Sequence, residues 1–231
     1  DSTLAMIRAA QVKGMDVYYC RQEDLVISHN RVCAYLSRLA LVSHFAEALD
    51  PASVNNGEDS WFTLASEELM PLSAMDIVMM RKDPPFDMAY ITATHLLEQL
   101  PKTTQVINNP REVRNAPEKL LVTNFLDLMP PTLVSRDPEK IKSFRVKHKD
   151  IIIKPLYGNG GAGVFRLQAH DQILSALLEL FSAISKEPLM IQAYLPAVRN
   201  GDKRIIIVDG KAVGAINRVP AEDEARSNMH I

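Results

Sequence analysis

The sequence predicts an α/β fold, in which short apolar strands alternate with helical segments and build a parallel sheet covered on both faces. Three observations carry this. Short β-like runs at 26–28, 32–36, 77–80 and 105–107 are separated by helical spacing. That spacing is clearest over 89–100, where Ile91, His95, Leu96 and Gln99 recur at helical intervals. The chain has 231 residues, 47% apolar and 23% charged, which allows a sizeable core and excludes intrinsic disorder as a class.

The elements follow in order. Ser2 or Thr3 can cap a first helix, with Leu4, Ile7 and Ala10 on one face and Gly14 closing it. A strand follows at 16–20. Because the pattern opens in mid-alternation, we expect a strand before residue 1. The polar stretch 49–60, with Pro51, Asn55, Asn56 and Gly57, reads as a surface loop. Asn115-Ala-Pro-Glu118 reads as a helix start, with Asn as cap and Pro in the first turn. Between 101 and 155, eleven Lys/Arg face six Asp/Glu, an excess of +5 that is a solvated basic face unless an anion sits nearby. Then come a strand at 150–154, a glycine loop, a strand at 164–167 and a helix at 171–185. A last hairpin pairs 204–208 with 212–217 across Asp209-Gly210, a favoured tight-turn dipeptide. There is no internal repeat.

Composition narrows the class further. The net charge of −2 argues against a nucleic-acid binder. The longest apolar runs, such as Ile151–Ile153 and Ile205–Val208, are too short for a bilayer, so no membrane partner is expected. Two cysteines, Cys20 and Cys33, fit a reducing compartment, and with no targeting segment we expect a cytoplasmic protein. None of the six histidines has metal-ligand spacing. His95 reads as a packing residue and Cys20 as a small buried hydrophobe.

Three segments carry chemistry. Ile151-Ile-Ile-Lys154-Pro-Leu-Tyr-Gly158-Asn-Gly160-Gly161-Ala-Gly163 contains G-x-G-x-x-G, but a β-like run follows where a dinucleotide site needs a helix. No Gly-Lys-Ser/Thr closes it, so it is not a Walker A loop. It remains either a strand–loop–strand flap whose amides cover phosphates, with Lys154 adding charge, or a glycine-rich hairpin turn with a solvated lysine. Arg81-Lys-Asp-Pro-Pro-Phe-Asp87 follows a strand, where an arginine can clamp a carboxylate; a proline-stiffened turn is equally consistent. Gly201-Asp-Lys-Arg204, with Arg218 one strand later, could place two arginines at one pocket or simply at a polar edge.

Taken together, these blocks resemble the bacterial glutathione synthetases, a family of the ATP-grasp superfamily. The likeness spans the chain in order: Arg81–Tyr90, Asn115–Leu120, Lys154–Gly161, Gln192–Pro196, Gly201–Arg204 and Ala215–Pro220. It implies an ATP-grasp fold: a Rossmann-like N-terminal domain at 1–116, an α+β lid at 117–194 and the start of a truncated C-terminal catalytic domain at 195–231.

The resemblance also implies roles. Lys119 and Lys154 contact ATP phosphates, and Gly158, Asn159, Gly160 and Gly161 form a flexible loop over the triphosphate. The main chain of Gln192, Ala193, Tyr194 and Leu195 meets the adenine, with Asp202 near the ribose. Arg81, Arg204 and Arg218 meet the anionic peptide, and Arg226 belongs to a mobile loop over the substrate. Arg218 and Arg226 oppose charge developing in the reaction. The family's Mg²⁺ (or Mn²⁺) ligands, an aspartate and a Glu-x-Asn pair, are expected beyond Ile231. The implied reaction joins γ-glutamylcysteine to glycine through an acyl phosphate, with ATP cleaved to ADP and phosphate, in a homo-oligomer (a tetramer by family). Another ATP-grasp carboxylate-amine ligase, or a non-catalytic ATP-binding module, would share the lysines and the glycine loop.

Overall fold

The computed structural model describes residues 2–42, 61–82, 85–158 and 160–221. The chain divides into two compact units, Asp1–Asp83 with Asp87–Asn115, and Pro84–Phe86 with Ala116–Ile231.

In the first unit, helix α1 (Ser2–Val12) leads to strand β1 (Val17–Tyr19). A hairpin then joins β2 (Leu25–Ser28) to the long β3 (Arg31–Leu41). Its two turn residues, His29 and Asn30, both have positive φ, 50° and 58°, as a type I′ turn requires. Strand β3 pairs antiparallel with β1, β2, β4 (Phe62–Leu64) and β5 (Glu68–Pro71). Val32, Ala34 and Leu36, at period two on one face of β3, pack with Leu72 and Leu97.

This corrects the expected parallel arrangement. Among the described residues, only β6 (Ile77–Met79) and β7 (Gln105–Ile107) pair in parallel. They are joined through α2 (Met88–Glu98), a connection long enough for a crossover. The runs at 26–28 and 32–36 lie instead in β2 and β3, which two residues link, and so short a link can only reverse the chain.

Helix α2 starts at Asp87, whose carboxylate accepts the Tyr90 N–H at 2.9 Å. Its buried face is Ala93, Thr94 and Leu97. His95 is exposed, not packed as expected. A helix does start within 115–118 as expected, but Asn115 does not cap it. Asn115 ends α3 (Pro110–Asn115), whose first amides donate to Asn109 Oδ1, with Pro110 in the first turn. A short α4 (Glu118–Leu121) begins after Pro117 without a side-chain cap. The loop expected at 49–60 lies outside the described residues.

The second unit is built on an antiparallel sheet ordered β10 (Phe165–Leu167), β9 (Ile151–Pro155), β11 (Leu189–Ala193), β8 (Thr132–Ser135). Two helices pack on it, α5 (Pro138–His148) and α6 (Leu174–Ile184). Asp137 caps α5 by accepting from Glu139 and Lys140, and Pro138 takes the first position, where its missing N–H costs nothing. The basic excess is largely the outer surface of this helix, where Lys140, Lys142 and Lys147 are exposed. The core joins Ile141, Leu174, Leu177 and Leu178 of the helices to Ile151, Ile153, Leu167, Leu189 and Ile191 of the sheet.

A separate two-stranded ribbon follows, β12 (Asp202–Val208) against β13 (Lys211–Arg218). It turns at Asp209-Gly210, with positive φ at both, as expected from that dipeptide. Among the described residues, no helix is long and apolar enough to cross a membrane.

Candidate functional site

Strand alternation decides which residues share a face. Ile151 and Ile153 of β9, and Leu189 and Ile191 of β11, turn toward the helices. Lys154 and Ile152 therefore turn away. Opposite them in register stand Met190 and Gln192, and beyond these Val134 and Thr132 of β8. On the other side Arg166 of β10 pairs with Ile152 and joins the same face. The face opposite the helices thus gathers Lys154, Gln192, Thr132 and Arg166.

Lys154 is the next-to-last residue of β9, just before the glycine loop. Burial pushes its pKa below the ordinary lysine value, and the nearby Lys119 pushes it the same way, against a smaller pull from Glu118. Lys119 reaches the same loop. Its Nζ donates to the Leu156 carbonyl at 3.3 Å and, more closely, to that of Gly158. Two predicted lysines are therefore brought together at the mouth of the loop. A half-buried cation beside a second cation is costly unless an anion completes the site.

The loop itself needs its glycines. Gly160, Gly161 and Gly163 have φ of 61°, 81° and 69°. At Gly163 a Cβ would lie 2.9 Å from Pro155 Cγ, so the returning chain lies directly on the end of β9. Gly163 is the last glycine of the G-x-G-x-x-G pattern, but the expected phosphate loop stops at Gly161. Asn159 lies outside the described residues. Tyr157, next to Gly158, stacks on Phe86, with centroids 5.9 Å apart and planes at 19°.

Gln192 is buried, and its Nε2 donates to Thr132 Oγ1 at 2.9 Å; that hydroxyl donates in turn to the Pro130 carbonyl. In the segment after it, the Ala193 N–H donates to the Pro131 carbonyl at 3.0 Å and the Tyr194 N–H to that of Asp150 at 2.9 Å. Those two amides are thus already engaged. Leu195 is exposed.

Asp202 and Arg218 stand directly opposite on the ribbon and form a forked pair, Nε to Oδ1 at 2.9 Å and Nη2 to Oδ2 more closely. Arg204 lies two residues from Asp202 and on the same face, opposite Ile216. At the foot of the ribbon Gly201 has φ 103° and ψ 160°, a region essentially closed to other residues. A Cβ there would lie 2.5–2.7 Å from the Asn217 side chain.

Arg81 belongs to the first unit, where its Nη2 donates to Ser2 Oγ at 2.9 Å and Thr3 Oγ1 at 3.3 Å. Arg226 lies outside the described residues. Among the described residues no group of three or more His, Cys, Asp or Glu could hold a metal ion, so the donor set present does not fit one. Sequence reasoning missed Arg166 and Asp150. Arg166 Nη2 donates to Asp150 Oδ2 at 2.9 Å, and its guanidinium lies 3.8 Å from the centre of the Tyr194 ring.

The family model for the prokaryotic glutathione synthetase N-terminal domain matches residues 1–114, and that for the prokaryotic glutathione synthetase ATP-grasp domain matches 118–231. The chain is 48% identical over 230 residues to a glutathione synthetase of Agrobacterium fabrum, covering 100% of this chain and 68% of that protein. It is 45% identical over 231 residues to one of Mesorhizobium japonicum, covering 100% and 70%. It is 42% identical over 231 residues to one of Pseudomonas putida, covering 99% and 69%. The D-cycloserine synthetase DcsG shares the fold, with a TM-score of 0.53 at 16% identity, over 65% of this chain and 54% of that one.

Proposed function

This chain belongs to the prokaryotic glutathione synthetase family, and from that premise we propose that it joins γ-glutamylcysteine to glycine at the expense of ATP. The supporting observation is the crowding of Lys154 and Lys119 at the mouth of the glycine loop. Such a pair calls for a polyanion, and a triphosphate lying along the face opposite the helices supplies it.

A carboxylate is a poor electrophile. Transfer of the γ-phosphoryl group to the C-terminal carboxylate of γ-glutamylcysteine gives an acyl phosphate and ADP. The amine of glycine then attacks the acyl carbon, a peptide bond forms, and phosphate leaves. Phosphoryl transfer demands positioning and neutralisation of charge more than covalent help. In this reading Lys119 and Lys154 neutralise the phosphates. Gly158, Asn159, Gly160 and Gly161 fold main-chain amides over them and keep water from the acyl phosphate. The segment from Gln192 through Ala193 and Tyr194 to Leu195 borders the base. Arg204 meets the peptide carboxylate, beside Arg218, which Asp202 orients by its forked pair. For Arg81 and Arg226 a role toward the anionic substrate rests on the family resemblance alone.

Residues 1–116 then form the first domain, 117–194 the lid, and 195–231 the start of the catalytic domain. A divalent ion, Mg²⁺ or Mn²⁺, and a homo-oligomeric, cytoplasmic enzyme belong to the same reading. The described residues offer that ion no donor cluster. The test is phosphate release from ATP. Release that requires both γ-glutamylcysteine and glycine upholds the proposal. Release with another acid and amine points to a different ligase, and ATP binding without release to a non-catalytic module; either result overturns it.

A further inference from the structure

We infer that Arg166 is a positioning residue for the nucleotide's base: acting through Tyr194, it fixes the chain just beyond β11 and so sets affinity for ATP and preference for adenine. This rests on the reading that ATP lies along the face shared by Lys154 and Gln192.

Tyr194 is fastened at two points. Its N–H donates to the Asp150 carbonyl at 2.9 Å, and its ring lies under the Arg166 guanidinium, 3.8 Å from centroid to carbon. Arg166 in turn donates to the Asp150 carboxylate at 2.9 Å. The other oxygen of that carboxylate accepts the Ala169 N–H at 3.1 Å. The start of β9, the middle of β10 and the end of β11 are thus closed into one circuit of three residues. Register places Arg166 opposite Ile152, on the face of Lys154 and Gln192 rather than against the helices. Its Nε is buried and makes no hydrogen bond. The guanidinium is therefore placed for its stack on Tyr194 and its bond to Asp150 rather than to satisfy all its donors. A nucleotide whose phosphates meet Lys154 and Lys119 has its base at the far end of the same face. The position of residues 193–195 then decides how well a purine fits, and Arg166 decides the position of residue 194.

The experiment measures ATP affinity by direct titration, and KM for ATP, KM for γ-glutamylcysteine and kcat, on the intact enzyme and three variants. Arg166→Ala should raise KM for ATP about tenfold, the loss of one such stack and its hydrogen bond. It should also lower the preference for ATP over GTP, with kcat and KM for the peptide held within about twofold. Arg166→Lys, which keeps a cation and a donor, should recover most of this. Tyr194→Leu removes the ring but keeps the Arg166–Asp150 pair and should reproduce the Arg166→Ala pattern, which covers the case of an Arg166→Ala that fails to fold. Unchanged nucleotide parameters, or a uniform fall in all parameters that Lys does not rescue, overturn the inference. If Lys154→Ala weakens ATP while the Arg166 and Tyr194 variants do not, the inference falls and the functional reading stands. If the parent enzyme binds no ATP, both fall.

Discussion

Replacing Lys154 by Met should make the empty protein more stable and the enzyme inactive. Folding disfavours the charged form of Lys154, through burial and then through Lys119, with Glu118 opposing. Its folded pKa lies below the ordinary lysine value, so the unfolded chain holds the proton more tightly. At any pH below the folded pKa the full cost is present. It disappears as pH rises through the folded pKa toward the unfolded one. Met keeps most of the side chain's length and packing and removes only the charge. A half-buried charge without a full partner exchanged for an apolar group of similar volume gains about 1 kcal/mol, or a few degrees of melting temperature. ATP reverses the order. At about a hundred times its Kd, ATP should stabilise the parent by roughly 2.7 kcal/mol and the variant hardly at all. Thermal melts at neutral pH and low salt, with and without ATP, should therefore cross: Lys154→Met melts higher without nucleotide and lower with it. A variant that melts below the parent without ATP, or that keeps the ATP-induced shift, refutes the reasoning.

Three further outcomes are expected. Gly201→Ala should destabilise the ribbon by roughly 2–3 kcal/mol: about 1–2 for a backbone region nearly closed to alanine, and about 1 for displacing Asn217, whose Nδ2 donates to the Asn200 carbonyl. Adding Asn217→Ala should relieve the clash without restoring full stability, as a thermal double-mutant cycle would measure. Arg204→Ala should raise KM for γ-glutamylcysteine about tenfold and leave KM for ATP within about twofold; equal effects on both would reject its placement beside the peptide. The Cys20 thiol, pushed up to about 11 by burial and by Asp24, is about a thousandth ionised at pH 8 and should resist iodoacetamide until the protein is denatured. Fast labelling of the native protein at Cys20, located by mass spectrometry, would contradict that environment.

What could be read in the sequence was local. The Asp209-Gly210 turn was legible because two residues settle it, and the helix at 88–98 because its spacing sustains three turns. The His29-Asn30 turn hides in a weaker dipeptide, and missing it makes two antiparallel strands look like members of a parallel sheet. Helix α5 was overlooked although Asp137-Pro138 is a cap followed by a first-turn proline. Near α3, the cap was sought at Asn115 when Asn109-Pro110 carries it. The candidate site divided in the same way. Lys154 and the glycines announced themselves through composition, and the resemblance supplied Lys119, Gln192 and the arginines. Ile151-Ile-Ile hides which face is which, so the grouping of Lys154 with Gln192 and Arg166 required register. The Arg166–Tyr194 contact joins residues 28 apart and leaves no trace in spacing.

The ribbon at 202–218 has a practical consequence. Ile205, Ile206, Ile207 and Val208 are all about half or more exposed, and Val213 and Val219 with them. Among the described residues these two strands, of seven and eight residues, pair only with each other, and such edges are a template on which another molecule can add a strand. Lys203, Arg204, Asp209 and Lys211 flank this run as charged gatekeepers. Neutralising them, or screening them with concentrated salt, should turn the chain toward clumping from solution, with this tongue as the seed.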